Sequence, residues 1–487
     1  MMKHLVLCLA LVAAAPAAAQ TPDTPPDWSA LAVADVEAAY AETKANHPGM
    51  FDPANPGFPA LLERARTEAL DYARQANTAG GFAASLQRFA AVLDDGHAGA
   101  FAELPEAYAP PVRWPGFVAA WRGDAMYVYK SAEGGPAEGS RIESCDGRPV
   151  EELIKANVFA WRTGVKTAGD WWYSARRLFV DSGNPFVTLP QTCRFISAGK
   201  AEEQALTWGP IPDVYPQWRD GSSNGDRLPI GLAERAPGIQ WIAMPDFQPD
   251  DAGVAAYKAL DAELAAKADE LRGARAVVLD LRFNQGGSSA WSYRIAEELW
   301  GKEAAGARAN AISAKQQVWW RATPDNLASL RELKDHFIKQ DDPESVAWTE
   351  EHISLFETAI EKNETWVVRS DAPAGDQTFP APLLTVPVYV IVPGQCASAC
   401  LDAIDVFKLF PGTILIGAPS SADSTYMEVR NPKLPSGMAR AIIPMKMYVS
   451  RPRGNGEFYP ADIEMRDLDW STAHFLRRIE ADLAARR

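Results

Sequence analysis

No block of lysine or arginine occurs anywhere in this chain, and its formal net charge is −15. Without a basic patch nothing can neutralise a phosphate backbone, so nucleic-acid binding is excluded; the acidic balance speaks for solubility and little else. Past the N-terminal leader every apolar run is broken within about ten residues, roughly half of what a membrane-spanning helix needs. Neither a G-x-G-x-x-G nor a P-loop pattern is present, which removes nucleotide cofactors. The cysteines form no C-x-x-C and have no histidine pair beside them, so no metal centre or other cofactor is expected. Internal repeats are missing. Histidine is scarce, with six in the whole chain, and this scarcity narrows the choice of a catalytic base.

What is present describes a packed protein. A hydrophobic fraction of 47% with 16 tryptophans is globular, and 487 residues make two or three domains the natural division. The N-terminus reads as a secretion signal: Lys3 and His4, an apolar stretch over residues 5–12, then Ala17-Ala18-Ala19 before Gln20. Export to a periplasmic or extracellular space is expected, with no membrane anchor once residues 1–19 are removed. Cys8 leaves with the signal. Cys145, Cys193, Cys396 and Cys400 remain, an even number that allows two disulfides in three pairings. Cys145 with Cys193 is one candidate; Cys396 and Cys400 are spaced so that a helix-start turn could close them.

Taken in order, residues 31–47, 59–75 and 79–93 carry helical patterns. The third runs into Asp94-Asp95-Gly96-His97, a histidine on a glycine turn instead of an apolar face. Residues 106–235 are richer in short β-type runs (116–121, 125–130, 186–189, 193–196), with a helix at 150–158. The Pro-, Gly- and Ser-rich stretch 210–227 reads as a linker or exposed loop. From Gly238 an α/β rhythm begins: strand 239–244, helix 251–271, buried strand 276–281, the turn Asn284-Gln285-Gly286-Gly287, and a helix to Trp300. Residues 304–369 interrupt it with a charged, largely helical insertion that includes an exposed-looking Trp319-Trp320. Such an insertion is a surface elaboration or a lid.

The rhythm resumes with strand 388–392, broken at Pro393-Gly394, and a helical pattern over 399–410. Ser398 therefore falls where a strand becomes a helix, between two alanines. A helix start supplies free N–H groups and a positive dipole end, both suited to an oxyanion. An N-cap serine is the bland alternative.

These pieces together resemble the tail-specific, or C-terminal processing, serine peptidases, including their tricorn-core branch. Asp95-Gly96-His97 resembles that family's Asp-Gly-His turn. Gly139-Ser140-Arg141-Ile142-Glu143-Ser144-Cys145-Asp146-Gly147-Arg148-Pro149-Val150 resembles the strand and turn of its PDZ-like module, with Ser140 and Cys145 replacing the usual Asp and Ile. Asp280-Leu281-Arg282-Phe283-Asn284-Gln285-Gly286-Gly287 resembles its D-L-R-x-N-x-G-G segment, Ala397-Ser398-Ala399 its nucleophile segment, and Tyr459-Pro460-Ala461-Asp462 its closing element.

The resemblance implies an α/β, multidomain α+β protein: a leader at 1–19, a helical region at 20–105, a PDZ-like module and linker at 106–235, and a ClpP/crotonase-like ββα-spiral core at 236–487 with a helical insertion at 301–383. It implies Ser398 as nucleophile, with Gly286 or Gly287 and the N–H of Ala399 as oxyanion donors. One branch of the family takes its base from a lysine placed near Asp423 in this numbering; no lysine stands there. The tricorn-like branch uses a histidine at the Asp-x-His turn, and His97 occupies it. That branch has a serine where this chain has Gly96, and a glutamate in the closing loop, for which Glu457 is the nearest candidate, with Asp95 and Asp423 behind it. The implied activity is serine endopeptidase action on peptide or unfolded-protein C-terminal segments through an acyl-enzyme. A catalytically silent peptide-binding member of the fold and an esterase-type acyl hydrolase are the alternatives.

Overall fold

The structure is a computed structural model that describes residues 26–163, 167–370 and 379–486; the expected signal, residues 1–19, lies outside the described residues. Its centre is a six-stranded sheet in the order Gly231–Ala236, Ile239–Ala243, Ala276–Asp280, Val388–Val392, Thr413–Gly417, Ile463–Glu464. The first pair is antiparallel and the rest run parallel. Both faces are covered, which is why Ala276–Asp280 and Val388–Val392 are buried at every position. Val277, Leu279, Val388 and Val390 face the helices Asp251–Ala266, Ala290–Trp300 and Ala399–Phe407. Val278, Tyr389 and Ile391 face the terminal helix Thr472–Ala485 and Trp172.

A second, antiparallel sheet joins Phe117–Arg122, Ala125–Ser131, Arg141–Cys145, Thr192–Ser197 and Lys200–Ala205. Cys145 and Cys193 face each other across it and are bridged; Cys396 and Cys400 form a second bridge. A third sheet runs Gly99–Ala102, Ala439–Val449, Gln317–Arg321, Trp366–Ser370, with Tyr426–Arg430 also paired to Ala439–Val449. The helices Trp28–Asn46, Phe58–Ala73 and Ala79–Leu93 share their core with this sheet: Phe82, Leu86 and Phe89 cluster with Ala441 and Ile443.

Several expectations are corrected. The stretch 210–227 is no linker: Tyr215–Asn224 is a helix whose last three residues are buried, because Asn224 has polar partners inside the protein. Residues 186–189 form no strand, since the Asn184 side chain accepts the Phe186 N–H in a local turn and Phe186 packs on Tyr72. The helix expected over 251–271 stops at Ala266, and a short helix, Ala268–Arg272, follows Lys267. The insertion is helical in part only, contributing Gln317–Arg321 and Trp366–Ser370 to the third sheet. Trp320 is accordingly 2% exposed, packed on Phe356 and Leu330. The aromatic pair reads as exposed only while those strands go unrecognised.

Candidate active site

Two neighbouring parallel strands, Ala276–Asp280 and Val388–Val392, end side by side, with Asp280 in register with Ile391. Open α/β sheets place ligands at such carboxyl ends, and the two loops leaving them carry the family motifs. On the first, Asp280 and Arg282 form a buried pair, Nη2 to Oδ2 2.7 Å, and Arg282 reaches on to the carbonyl of Trp470 at 2.8 Å. The Asn284 amide donates to the carbonyl of Met244 at 2.9 Å, and its Oδ1 accepts the N–H of Gly286 at 2.9 Å. Phe283, at φ 70°, is held by its N–H donating to Asn224 Oδ1 at 3.0 Å. The glycine pair follows from crowding. A Cβ on Gly286 would stand 2.7 Å from Ser398 Cβ, and one on Gly287 2.2 Å from the Phe247 carbonyl oxygen. Both also have positive φ, 111° and 131°.

On the second loop Ser398 precedes the helix Ala399–Phe407 at φ 55°, ψ −129°. It occupies the N-cap position but its side chain makes no capping bond, so the bland reading of this serine does not hold. Instead its own N–H is pinned: it donates to Asp423 Oδ1 at 2.8 Å and Oδ2 at 2.9 Å. Asp423 is held in turn by Arg453, whose Nη1 lies 3.2 Å from Oδ2. The same guanidinium binds Asp402 at 2.8 Å and Asp405 at 3.1 Å. A serine backbone in a region that costs about 1–3 kcal/mol is thus fixed from outside, and the Cys396–Cys400 bridge spans it from within. The N–H of Gly286 is spent on Asn284, whereas those of Gly287 and Ala399 make no hydrogen bond to any described residue. Two unengaged donors beside a half-buried hydroxyl are chemically able to hold an oxygen that gains negative charge.

His97 lies on the turn after Ala79–Leu93, with its side chain 18% exposed. Its N–H donates to Asp95 Oδ1 at 2.9 Å, and its Nδ1 stands 3.9 Å from the same oxygen. Burial pushes the Asp95 carboxyl up, opposed chiefly by His97; Ser424 and Asp423 also bear on it. The histidine turn and the loop that pins Ser398 therefore face each other.

Glu457 is not brought to His97. It is exposed, its Oε2 accepts the N–H of Gly454 at 2.7 Å, and among the described residues only Asp95 comes within ion-pair distance of His97. The remaining described histidines are engaged elsewhere or solvated. His47 is fully buried against Phe58, and burial pushes it down to about 3; His352 holds the Trp348 carbonyl, His474 faces Asp467, and His336 is exposed. Asp423, Arg453 and Asn224 are the members that sequence reasoning missed as a connected set. Asp423 stands where the other branch keeps its lysine, and that was a usable signal; Arg453 and Asn224 left none.

The comparisons with known proteins support a serine-type peptidase. Residues 239–451 match the sequence model described as Peptidase family S41, a span that holds Gly286, Gly287, Ser398 and Asp423 but not His97. That match spans less than half of the chain and marks a segment similar to the S41 peptidases. In overall fold it is similar to mature CPAF complexed with lactacystin, at a TM-score of 0.62 and 15% identity over 94% of this chain and 99% of that one. A second structure of mature CPAF aligns at 0.62 and 14% identity, covering 93% and 96%. No curated protein matches. Among the described residues no helix is long and apolar enough to cross a membrane, and no group of side chains is arranged to hold a metal ion.

Proposed function

We propose that this chain is an exported endopeptidase that cuts peptide or unfolded-protein C-terminal segments through an acyl-enzyme on Ser398. His97 takes the proton from the Ser398 hydroxyl as it attacks the scissile carbonyl, and Asp95 orients and charge-balances the imidazole. The N–H groups of Gly287 and Ala399 receive the oxyanion, with Gly286 serving by its bare Cα. His97 then passes its proton to the departing amine, and water repeats the sequence to release the acyl group. Arg141–Cys145 is paired on both sides, so a substrate tail captured by strand addition goes to an open edge of the PDZ-like sheet, Lys200–Ala205.

The observation that carries this reading is the packing of Gly286 against Ser398, with two unengaged N–H donors on either side of it. Labelling by a fluorophosphonate probe tests it: wild type reacts, Ser398→Ala does not, and His97→Ala reacts far more slowly. A folded wild type that stays unlabelled removes the reading. One observation favours the silent, peptide-binding alternative, namely that His97 Nδ1 sits 3.9 Å from Asp95 and makes no hydrogen bond. Catalytic hydrogen bonds are often this loose before substrate arrives, and the same labelling experiment separates the two. A panel of peptides beside small esters distinguishes peptidase from esterase.

A further inference from the structure

On the far side of the histidine turn lies a half-open pocket of about 400 Å³, lined by Asp95 and Gly96 and by Trp161, Arg162, Arg177 and Asp181. Its two carboxylates have partners of their own, although Asp95 Oδ2 is buried without a hydrogen bond. Asp95 faces His97, and Asp181 takes Arg113 Nε at 2.8 Å and the Gly183 N–H at 2.8 Å. Its two guanidiniums differ. Among the described residues no carboxylate lies within ion-pair distance of Arg162 or Arg177, and the Nε of each is buried without a hydrogen-bond partner. Arg176 stands behind them, 6% exposed and likewise unpartnered at Nε, with only the Tyr173 ring beneath it. Burial, reinforced by repulsion from Arg177, pushes Arg162 down to about 10 and Arg176 likewise; both stay charged at neutral pH.

Three cations on one wall, with Asp170 acting on Arg162 only from beyond ion-pair distance, are expensive, since burying a charge is offset only by pairing it. In a chain with a net charge of −15 this concentration of positive charge runs against the overall field. The wall is tied to the catalytic loops: the helix Ala168–Ser174, between Arg162 and Arg176, carries Asp170, whose Oδ1 accepts the hydroxyl of Ser421 at 2.9 Å, two residues before Asp423.

We propose that this cavity is a substrate subsite in which Arg162 and Arg177 bind a carboxylate of the peptide, either an acidic side chain or the free C-terminus, at a fixed distance from the bond cut at Ser398. Planar guanidiniums match carboxylates bidentately, and here the partner completes the site. The inference rests on the peptidase reading above and adds a specificity to it.

The test uses the full chain and a randomised peptide library read by mass spectrometry, followed by matched internally quenched peptides built on the sites found. Each set has three arms: glutamate at the mapped position, glutamine there, and glutamine with the C-terminus amidated. Wild type is expected to prefer a carboxylate-bearing arm by tenfold or more in kcat/KM, in the range of a charged hydrogen bond. If the glutamate arm is favoured, the occupant is a side chain; if only amidation matters, it is the chain end. In the double variant Arg162→Gln/Arg177→Gln the preference collapses toward unity, and in Arg→Lys variants it is partly kept; ratios between arms cancel any loss common to all of them. Binding of the same peptides to Ser398→Ala, followed by fluorescence anisotropy, reads the cavity without turnover and is expected to rank them in the same order. A wild type that labels with fluorophosphonate yet shows no carboxylate preference, or a preference that survives the double substitution, overturns the subsite and leaves the peptidase reading standing. A wild type that fails to label overturns the peptidase reading, and the anisotropy ranking still decides the cavity.

Discussion

Replacing Asp423 separates the pinning of Ser398, the proposed nucleophile, from the stability of the fold. Its carboxylate accepts the Ser398 N–H on both oxygens, at 2.8 and 2.9 Å, and Arg453 at 3.2 Å. Asp423→Ala removes a charge-assisted hydrogen bond of about 1.5–3 kcal/mol. It also releases a backbone at φ 55°, whose strain of about 1–3 kcal/mol then drives Ser398 toward an ordinary conformation. A nucleophile displaced by about 1 Å loses on the order of 10²-fold in rate. Arg453 keeps Asp402 and Asp405, so no guanidinium is orphaned and the global loss stays near the ~1.5–3 kcal/mol of the lost bond. The expected outcome is fluorophosphonate labelling slowed about 100-fold in a protein that still unfolds cooperatively. Asp423→Asn falls between, because its amide offers one acceptor oxygen and sets its NH₂ against a donor. The two measurements are the second-order labelling rate and the thermal unfolding midpoint. Labelling of Asp423→Ala within threefold of wild type, with a lowered midpoint, refutes the reasoning and makes Asp423 a purely structural residue.

Gly286→Ala sets a methyl 2.7 Å from Ser398 Cβ at φ 111°; peptide cleavage is expected to fall below detection while circular dichroism stays native, and measurable turnover would count against this packing. Asn224→Ala leaves the Phe283 N–H and the Gln395 amide without their shared acceptor, costing roughly 1–3 kcal/mol in chemical denaturation; an unchanged midpoint would show that water replaces the side chain. Burial pushes the Asp170 carboxyl up to about 6, above an unfolded value near 3.9, so the folded chain holds this proton more tightly and stability falls as pH rises from about 4 to about 6, by roughly 3 kcal/mol. Asp170→Asn is expected to remove that slope and to gain stability at pH 7, and denaturation at pH 4.5 and 7 checks it; a variant with the wild-type slope rules Asp170 out as its source. Cys396→Ser/Cys400→Ser is expected to slow labelling of Ser398, as is reductant on wild type; free thiols at both positions in non-reducing peptide maps would remove the basis for that expectation.

How much of this was legible in the sequence depends on what kind of constraint each residue obeys. The strand Val388–Val392 and the loop Asp280–Gly287 announce themselves because local chemistry demands particular residue types: a strand covered on both faces is uniformly apolar, and only glycine survives where a Cβ would strike Ser398. Asn224 and Arg453 answer to no such local demand. Each is a polar side chain that satisfies groups far along the chain, Phe283 and Gln395 for the first, Asp402, Asp405 and Asp423 for the second. Their contexts, a serine- and glycine-rich stretch and an Arg-Pro-Arg run, look like loop. The strands of the insertion were hidden for the same reason, since Gln317–Arg321 is a strand only in the company of Ala439–Val449.

The carboxylate beside His97 is a local one, Asp95, which the sequence ranks behind the remote Glu457. Analogy with the tricorn-like branch points to a glutamate in the closing loop, yet the carboxylate at His97 stands two positions before it. Asp95 Oδ1 already accepts the backbone N–H of His97 at 2.9 Å, so the turn folds the carboxylate back onto the residue it serves. With Nδ1 3.9 Å from that oxygen and buried without a partner, a modest rotation of the ring completes the contact. Gly96, which replaces the branch's serine, sits between the two with open space around its Cα, so nothing in the turn opposes that rotation. On the proposed assignment, a base and its orienting acid confined to three residues need no glutamate from the closing loop, and Glu457 caps Gly454 instead. Glu457→Gln should therefore leave the labelling rate of Ser398 within about twofold, whereas Asp95→Asn should lower it by 10²-fold or more, the range of general-base assistance. The reverse ranking would return the orienting role to the remote carboxylate.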